Sequence, residues 1–75
     1  MPSIEQLVCF VSAAESGSFS AASRELGKAQ SAVSTAINNL EIDADVELFD
    51  RSSRSPKLTE AGEALLKSAR TVLHS

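Results

Sequence analysis

The sequence predicts a small, mainly α-helical domain with a short two-stranded β-hairpin in its second half. Three observations predict this class. Apolar residues recur at helical i, i+3 and i+4 spacing in three long stretches, glycines of the kind that end helices follow the early stretches, and a short alternating segment precedes a turn-rich loop. With 75 residues, 43% of them hydrophobic, the chain is expected to form one globular domain.

The first helix is predicted from its cap and its apolar stripe. Ser3 followed by Gln6 fits a capping box, and Gly17 is placed to end the helix. The stripe is wide enough for two surfaces to pack on it, and comprises Ile4, Leu7, Val8, Phe10, Val11 and Ala14. Cys9 is the single cysteine, and we expect a small buried hydrophobe there rather than a reactive thiolate, because no base flanks it closely.

A short second helix and a longer third helix are predicted next. Phe19 is expected to enter the core from the turn, and Ser20 is a suitable N-cap for a helix over residues 21–26. Gly27 ends that helix, and another begins within a few residues. Two helices joined by a tight glycine-containing turn form a helix-turn-helix, a motif whose second helix lies in the DNA major groove.

The third helix, predicted over residues 29–41, has two unlike faces. Its apolar stripe comprises Ala29, Ala32, Val33, Ala36, Ile37 and Leu40, and its other face holds Gln30, Ser31, Ser34, Thr35 and Asn38. Serine, threonine and asparagine form helices poorly, but their side chains and that of glutamine can hydrogen-bond to bases in the major groove. Taken alone, this stretch is equally well explained as a mediocre surface helix without a ligand.

A β wing is predicted after this helix, which meets several acids and is expected to end near Asp45. Residues 46–51 are predicted as a strand, residues 52–56 as a turn-rich loop, and Lys57 with Leu58 as a returning strand. The complete prediction is a winged helix-turn-helix: a three-helix core, a short two-stranded wing with a basic tip, and a C-terminal helix.

The last helix, Glu60–His74, is predicted to begin after Thr59 as its N-cap. It has two apolar stripes, one of Leu58, Ala61, Leu65 and Val72 and the other of Leu66, Ala69 and Leu73. We expect one stripe to cover the core and the second, Leu66, Ala69 and Leu73, to meet another copy of the chain with Val8 or Val11 at its edge. The alternative is one broad stripe that frays at its end.

Charge is distributed unevenly along the chain. The net charge of −3 argues mildly against nucleic-acid binding. However, five acids and no base lie between Glu41 and Asp50, whereas three bases and no acid lie between Arg51 and Lys57. A polarised molecule of this kind can still present a local basic patch to DNA.

Several other classes of function are disfavoured by the sequence. No apolar run reaches the length of a membrane span, and no signal peptide is recognised. Cys9 and His74 stand alone, no metal-ligand spacing occurs, and no pair of acids is marked out for acid–base work, so we expect no metal, no cofactor and no enzyme. The single cysteine fits a reducing cytoplasm.

The chain resembles the N-terminal winged helix-turn-helix domain of LysR-type transcriptional regulators. The resemblance covers nearly the whole chain and rests on a combination of residues rather than on any one motif. They are Leu7, Phe10, Gly17-Ser18-Phe19-Ser20-Ala21-Ala22, Leu26, Gln30, Ala32, Val33, Ser34, Ile37, Leu40-Glu41, Leu48-Phe49, Arg51 and Leu58-Thr59-Glu60-Ala61-Gly62.

The resemblance implies a cytoplasmic bacterial regulator that binds double-stranded DNA as a homodimer. It divides the chain into a DNA-binding domain at residues 1–58 and the start of a linker and dimerisation helix at 59–75, with the effector domain, which would bind a small molecule, absent from this chain. It places base contacts on Gln30, Ser31, Ser34, Thr35 and Asn38 and a minor-groove arginine on Arg54. We also expect DNA contacts from Ser20, Lys28, Arg51 and Lys57.

The chain departs from the family pattern at several positions. Ala29 and Ser31 stand where Ser or Thr and Pro are usual, Thr35, Asn38 and Asn39 are neutral where bases are common, and Asp45 stands where Gly is usual. The rival hypothesis is a winged-helix module that binds protein rather than DNA, which the acidic balance favours.

Overall fold

A computed structural model of the chain describes residues 3–52 and 55–74. In these ranges it contains four helices and a two-stranded antiparallel sheet. The elements are α1 (Ile4–Ser16), α2 (Phe19–Leu26), α3 (Gln30–Ala44), β1 (Phe49–Asp50), β2 (Lys57–Leu58) and α4 (Glu60–His74). Phe49 pairs with Leu58 and Asp50 with Lys57. This arrangement confirms the predicted winged helix-turn-helix.

Helix ends follow local capping chemistry. The Ser3 hydroxyl accepts from the Gln6 N–H at 3.1 Å and the Gln6 side chain accepts from the Ser3 N–H at 2.9 Å, which confirms the capping box. Gly17 and Gly27 end α1 and α2 with φ of 78° and 66°, the left-handed conformation that glycine adopts without strain.

The prediction of Ser20 as the N-cap of α2 is wrong. Ser18, not Ser20, is the N-cap, because its hydroxyl accepts from the Ala21 N–H at 2.8 Å. The helix therefore begins at Phe19, and Ser20 lies in its first turn, where its hydroxyl accepts from Arg24 at 2.9 Å. Phe19 packs from this position edge-on against Phe49, with ring centroids 5.3 Å apart.

The core lies where α1, α3, the start of the wing and α4 meet. Phe10, Ile37, Leu40 and Leu48 are its largest fully buried side chains. Cys9 is also fully buried, as predicted for a small hydrophobe, and burial raises the pKa of its thiol. Burial of this apolar surface, rather than helix propensity, stabilises helices of this length.

The structure corrects the predicted dimerisation face of α4. Leu66 and Ala69 belong to the core of the domain itself, and Leu73 is half-buried against it. Gly62 explains the close approach of this side of α4, since a Cβ there would overlap the Leu48 carbonyl oxygen. In the other stripe Leu58 and Leu65 are also half-buried against the core, and Val72 is 56% exposed.

The wing is shorter than predicted. Pairing is confined to β1 and β2, whereas the predicted strand covered residues 46–51. The residues before β1 bond elsewhere: the Glu47 carbonyl oxygen accepts from the Thr59 hydroxyl at 2.6 Å and the Leu48 carbonyl oxygen from the Thr59 N–H at 3.0 Å. Thr59 also caps α4, as predicted, by accepting from the Gly62 N–H at 3.0 Å.

Helix α3 ends at a residue with a left-handed backbone. Asp45 has φ 55° and ψ 39° and is the one positive-φ residue other than glycine in the described ranges. Its N–H lies within bonding distance of the carbonyl oxygen of Ile42, so the turn closes the helix. The helix thus ends where the sequence predicted, at a residue whose Cβ is strained in the left-handed conformation.

We expect Asp45→Gly to raise the free energy of unfolding by up to about 1 kcal/mol, because it relieves the left-handed strain. Urea titration followed by circular dichroism measures this change. Asp45→Asn is the control, since it removes the same charge and keeps a side chain. Equal gains in the two variants would show that the charge, not the backbone, is responsible.

Candidate nucleic-acid interface

Helix α3 presents the predicted polar face to solvent because its opposite side is fixed in the core. Val33, Ile37 and Leu40 are fully buried, which determines the rotation of the helix about its axis. On the other side Ser34 is half-buried, and the remaining members of the face are exposed, namely Gln30, Ser31, Thr35 and Asn38. The five side chains therefore lie on the outer surface of the helix-turn-helix.

The first turn of α3 has no side-chain cap. Ala29 occupies the N-cap position in an extended conformation, and its methyl group cannot accept a hydrogen bond. The N–H groups of a first helical turn have no partner within the helix and carry a partial positive charge. This end of α3 is therefore suited to lie near an anionic oxygen.

Lys28 lies just before α3 and is paired with an acid of α1. Its Nζ atom lies 2.7 Å from the Glu5 carboxylate, and both side chains are partly exposed. The hydrogen bond between them lowers the pKa of Glu5 and raises that of Lys28. Glu5 also lines a shallow hollow together with Ser31 and Thr35. The negative charge of Glu5 thus lies beside the polar face of α3.

Arg51 follows β1 and is likewise paired. Its guanidinium lies 3.1 Å from the Glu41 carboxylate and 5.7 Å from the centroid of the Phe19 ring. Lys57 is exposed on β2, opposite Asp50. The pKa of Asp50 is lowered chiefly by hydrogen bonds from Ser52 and, to a smaller extent, by Lys57. Arg54, the predicted minor-groove residue, lies outside the described residues.

Arg24 was not among the predicted contacts. It is exposed on α2 and donates to the Ser20 hydroxyl at 2.9 Å, so it adds a cation beside one of the predicted contacts. Its position four residues after Ser20, on the same helix face, is the signal that could have identified it.

No helix in the described ranges combines the length and apolar character needed to cross a membrane. No group of three or more histidine, cysteine, aspartate or glutamate side chains in those ranges is placed to hold a metal ion.

The chain is similar to known bacterial regulators over nearly its whole length. Residues 4–63 match the model of the bacterial regulatory helix-turn-helix protein, lysR family. The HTH-type transcriptional regulator AceR of Acinetobacter baumannii is 48% identical over 69 residues, which cover 92% of this chain and 23% of AceR. The chain thus spans about a quarter of the length of this relative.

Solved structures give the same result. The BenM DBD in complex with catB site 1 DNA superposes with a TM-score of 0.92 at 33% identity, covering 96% of this chain and 80% of that one. Full-length CbnR in complex with its target DNA superposes with a TM-score of 0.90 at 38% identity, covering 96% of this chain and 25% of that one. The chain belongs to the lysR family of bacterial regulatory helix-turn-helix proteins.

Proposed function

We propose that α3 reads bases in the major groove of double-stranded DNA through Gln30, Ser31, Ser34, Thr35 and Asn38. The observation that carries this proposal is the uncharged polar face of α3, which the buried residues on its other side turn toward solvent. Amide and hydroxyl side chains can both donate to and accept from base edges. The similar BenM and CbnR structures, both solved with DNA, support this placement.

The same proposal assigns contacts with DNA phosphates to the groups around the N-terminus of α3 and on the wing. The N-terminus of α3, which has no side-chain cap, suits a phosphate backbone together with Ser20, Arg24 and Lys28. Lys57 approaches from the wing. Arg54 is proposed to enter the minor groove, where a narrow groove attracts arginine; this role rests on its place in the family pattern.

The wider role is also a proposal. The chain covers about a quarter of AceR, so it would form part of a longer regulator. Residues 1–58 would bind DNA, and residues 59–75 would begin the linker helix. An effector domain outside this chain would bind a small molecule. Binding to bacterial DNA places such a regulator in the cytoplasm. The protein-binding alternative is not favoured by the comparisons.

Removal of the Ser34 hydroxyl tests base reading. In a duplex selected by this domain from a random library, we expect Ser34→Ala to weaken specific binding about 5- to 150-fold, because a base contact contributes about 1–3 kcal/mol. Binding to a scrambled duplex should change little. Fluorescence anisotropy measures both affinities, with Thr71→Ala, which removes a hydroxyl from an exposed position of α4, as the matched control. Equal losses on both duplexes, or no loss on either, would show that Ser34 does not contact bases.

Replacement of Glu5 tests the electrostatics of the interface. We expect Glu5→Gln to tighten binding to selected and scrambled duplexes alike, because it removes the ionic attraction on the Lys28 ammonium and a negative charge beside Ser31 and Thr35. The salt dependence should steepen by up to about one phosphate-equivalent. Glu15→Gln makes the same charge change at a pair that joins α1 to α4 through Arg70. Identical effects of both variants would show that net charge alone matters.

We further propose that two copies of the chain pair through the side of α4 that carries Ala61, Leu65 and Val72. Leu65 is half-buried and Val72 is 56% exposed, and both lie on the same side of α4 as Ala61. A two-fold pair would cover this side in both copies and present two α3 helices to successive turns of DNA.

A charge introduced at Val72 tests this pairing. We expect Val72→Glu to weaken self-association of the domain by at least about tenfold, because a carboxylate would be buried without a partner. Sedimentation equilibrium measures the dissociation constant. Thr71→Glu places the same charge on the neighbouring exposed position and should have little effect. A dimer that persists unchanged in the Val72 variant would place the interface elsewhere.

A further inference from the structure

We propose that Glu41 is a positioning residue that fixes the wing relative to α3, and that Arg51 acts with it instead of contacting a phosphate. This inference rests on the proposed function, in which α3 and the wing enter adjacent grooves of one duplex. It is carried by a junction of charges and backbone groups at the end of α3, outside the polar face that reads bases.

Glu41 uses both of its carboxylate oxygens to hold the chain that enters the wing. Oε2 accepts from the Leu48 N–H at 2.8 Å and from the Phe49 N–H at 3.3 Å. Oε1 accepts from the Arg51 guanidinium at 3.1 Å. The Glu41 side chain is only 13% exposed. One side chain of the DNA-reading helix therefore makes three hydrogen bonds to the first strand of the wing and its flanks.

A carboxylate is the group that this junction needs. Hydrogen bonds to an ionised acceptor are shorter and stronger than neutral ones. An ionised carboxylate also offers two acceptor oxygens and carries no donor group of its own. A glutamine at position 41 could still accept from the backbone with its carbonyl oxygen. Its amide group would then face the Arg51 guanidinium, donor against donor. The conservative replacement therefore removes one specific contact rather than the whole junction.

Arg51 is held from two sides. Besides the Glu41 carboxylate it lies over the ring of Phe19, the first residue of α2, and that ring packs edge-on against Phe49 of β1. The guanidinium thus connects α2, α3 and β1. A phosphate contact would have to compete with this partly buried carboxylate, so the pairing favours a role within the protein.

The functional consequence concerns two-groove binding. When two contacting elements are joined rigidly, the second binds at a high effective concentration once the first is bound. A loosely held wing would lose part of this gain through ordering on the DNA. Glu41 therefore strengthens binding only to a duplex long enough to engage both α3 and the wing.

The test compares two duplexes, the selected site and the same site truncated on the wing side so that only the major-groove contacts remain. For the wild-type chain we expect the long duplex to bind more tightly. For Glu41→Gln the ratio of the two affinities should fall several-fold, because the Arg51 contact is lost, while affinity for the short duplex is retained. Asp43→Asn is the matched control, because it removes the same charge from an exposed position on α3.

A double-mutant cycle with Arg51→Gln completes the test and does not depend on one variant alone. We expect each single variant to lower the ratio, the double variant to be no worse than either, and the salt dependence of Arg51→Gln to stay that of the wild type. A salt dependence reduced by about one phosphate-equivalent, with additive losses, would make Arg51 a phosphate contact and overturn the inference.

Two further outcomes also decide the matter. Equal weakening on both duplexes in Glu41→Gln would show a general effect on the fold and overturn the positioning role. Failure of the wild-type chain to bind even the short duplex would instead overturn the proposed function on which the inference rests. The short duplex therefore distinguishes the two failures.

Discussion

The burial of one side of α3 is the constraint on which the rest of the molecule depends. Val33, Ile37 and Leu40 are fully buried, and α1 supplies the fully buried Phe10 on the same core. Since a helix that is fixed on one side cannot rotate, these contacts alone determine which side chains face solvent. The reading face needs no special framework of its own, because its orientation is the complement of an ordinary hydrophobic core.

Features that depend on local chemistry could be predicted from the sequence, whereas choices between equivalent local options could not. Gly17, Gly27 and Asp45 end helices for reasons contained in a few neighbouring residues. Ser18 and Ser20 have the same capping chemistry, and the choice between them is consistent with the packing of Phe19 on a strand thirty residues away. Similarly, the two apolar stripes of α4 are equivalent in the sequence. Only the close approach of Gly62 to the Leu48 carbonyl oxygen in the fold distinguishes them.

The candidate site shows the same division. The uncharged face of α3 could be found because helical spacing brings its members together. The acidic partners of the cations could not be found from the sequence, because each acid lies far along the chain from its cation or on a different element. The pairs are Glu5 with Lys28, Glu15 with Arg70 and Glu41 with Arg51. From the sequence these acids form part of an unfavourable net charge. In the fold each of them connects two segments of the chain, and Glu41 is largely buried.

The segment around Leu48 also determines which parts of the domain unfold together. Its N–H is held by Glu41 of α3, its carbonyl oxygen accepts from Thr59 at the start of α4, and its side chain is in the core. A segment held from both sides cannot be released without loosening both neighbours. In hydrogen exchange, the base of the wing, the end of α3 and the first turn of α4 should therefore behave as one cooperative unit rather than as a fraying hairpin beside a stable core.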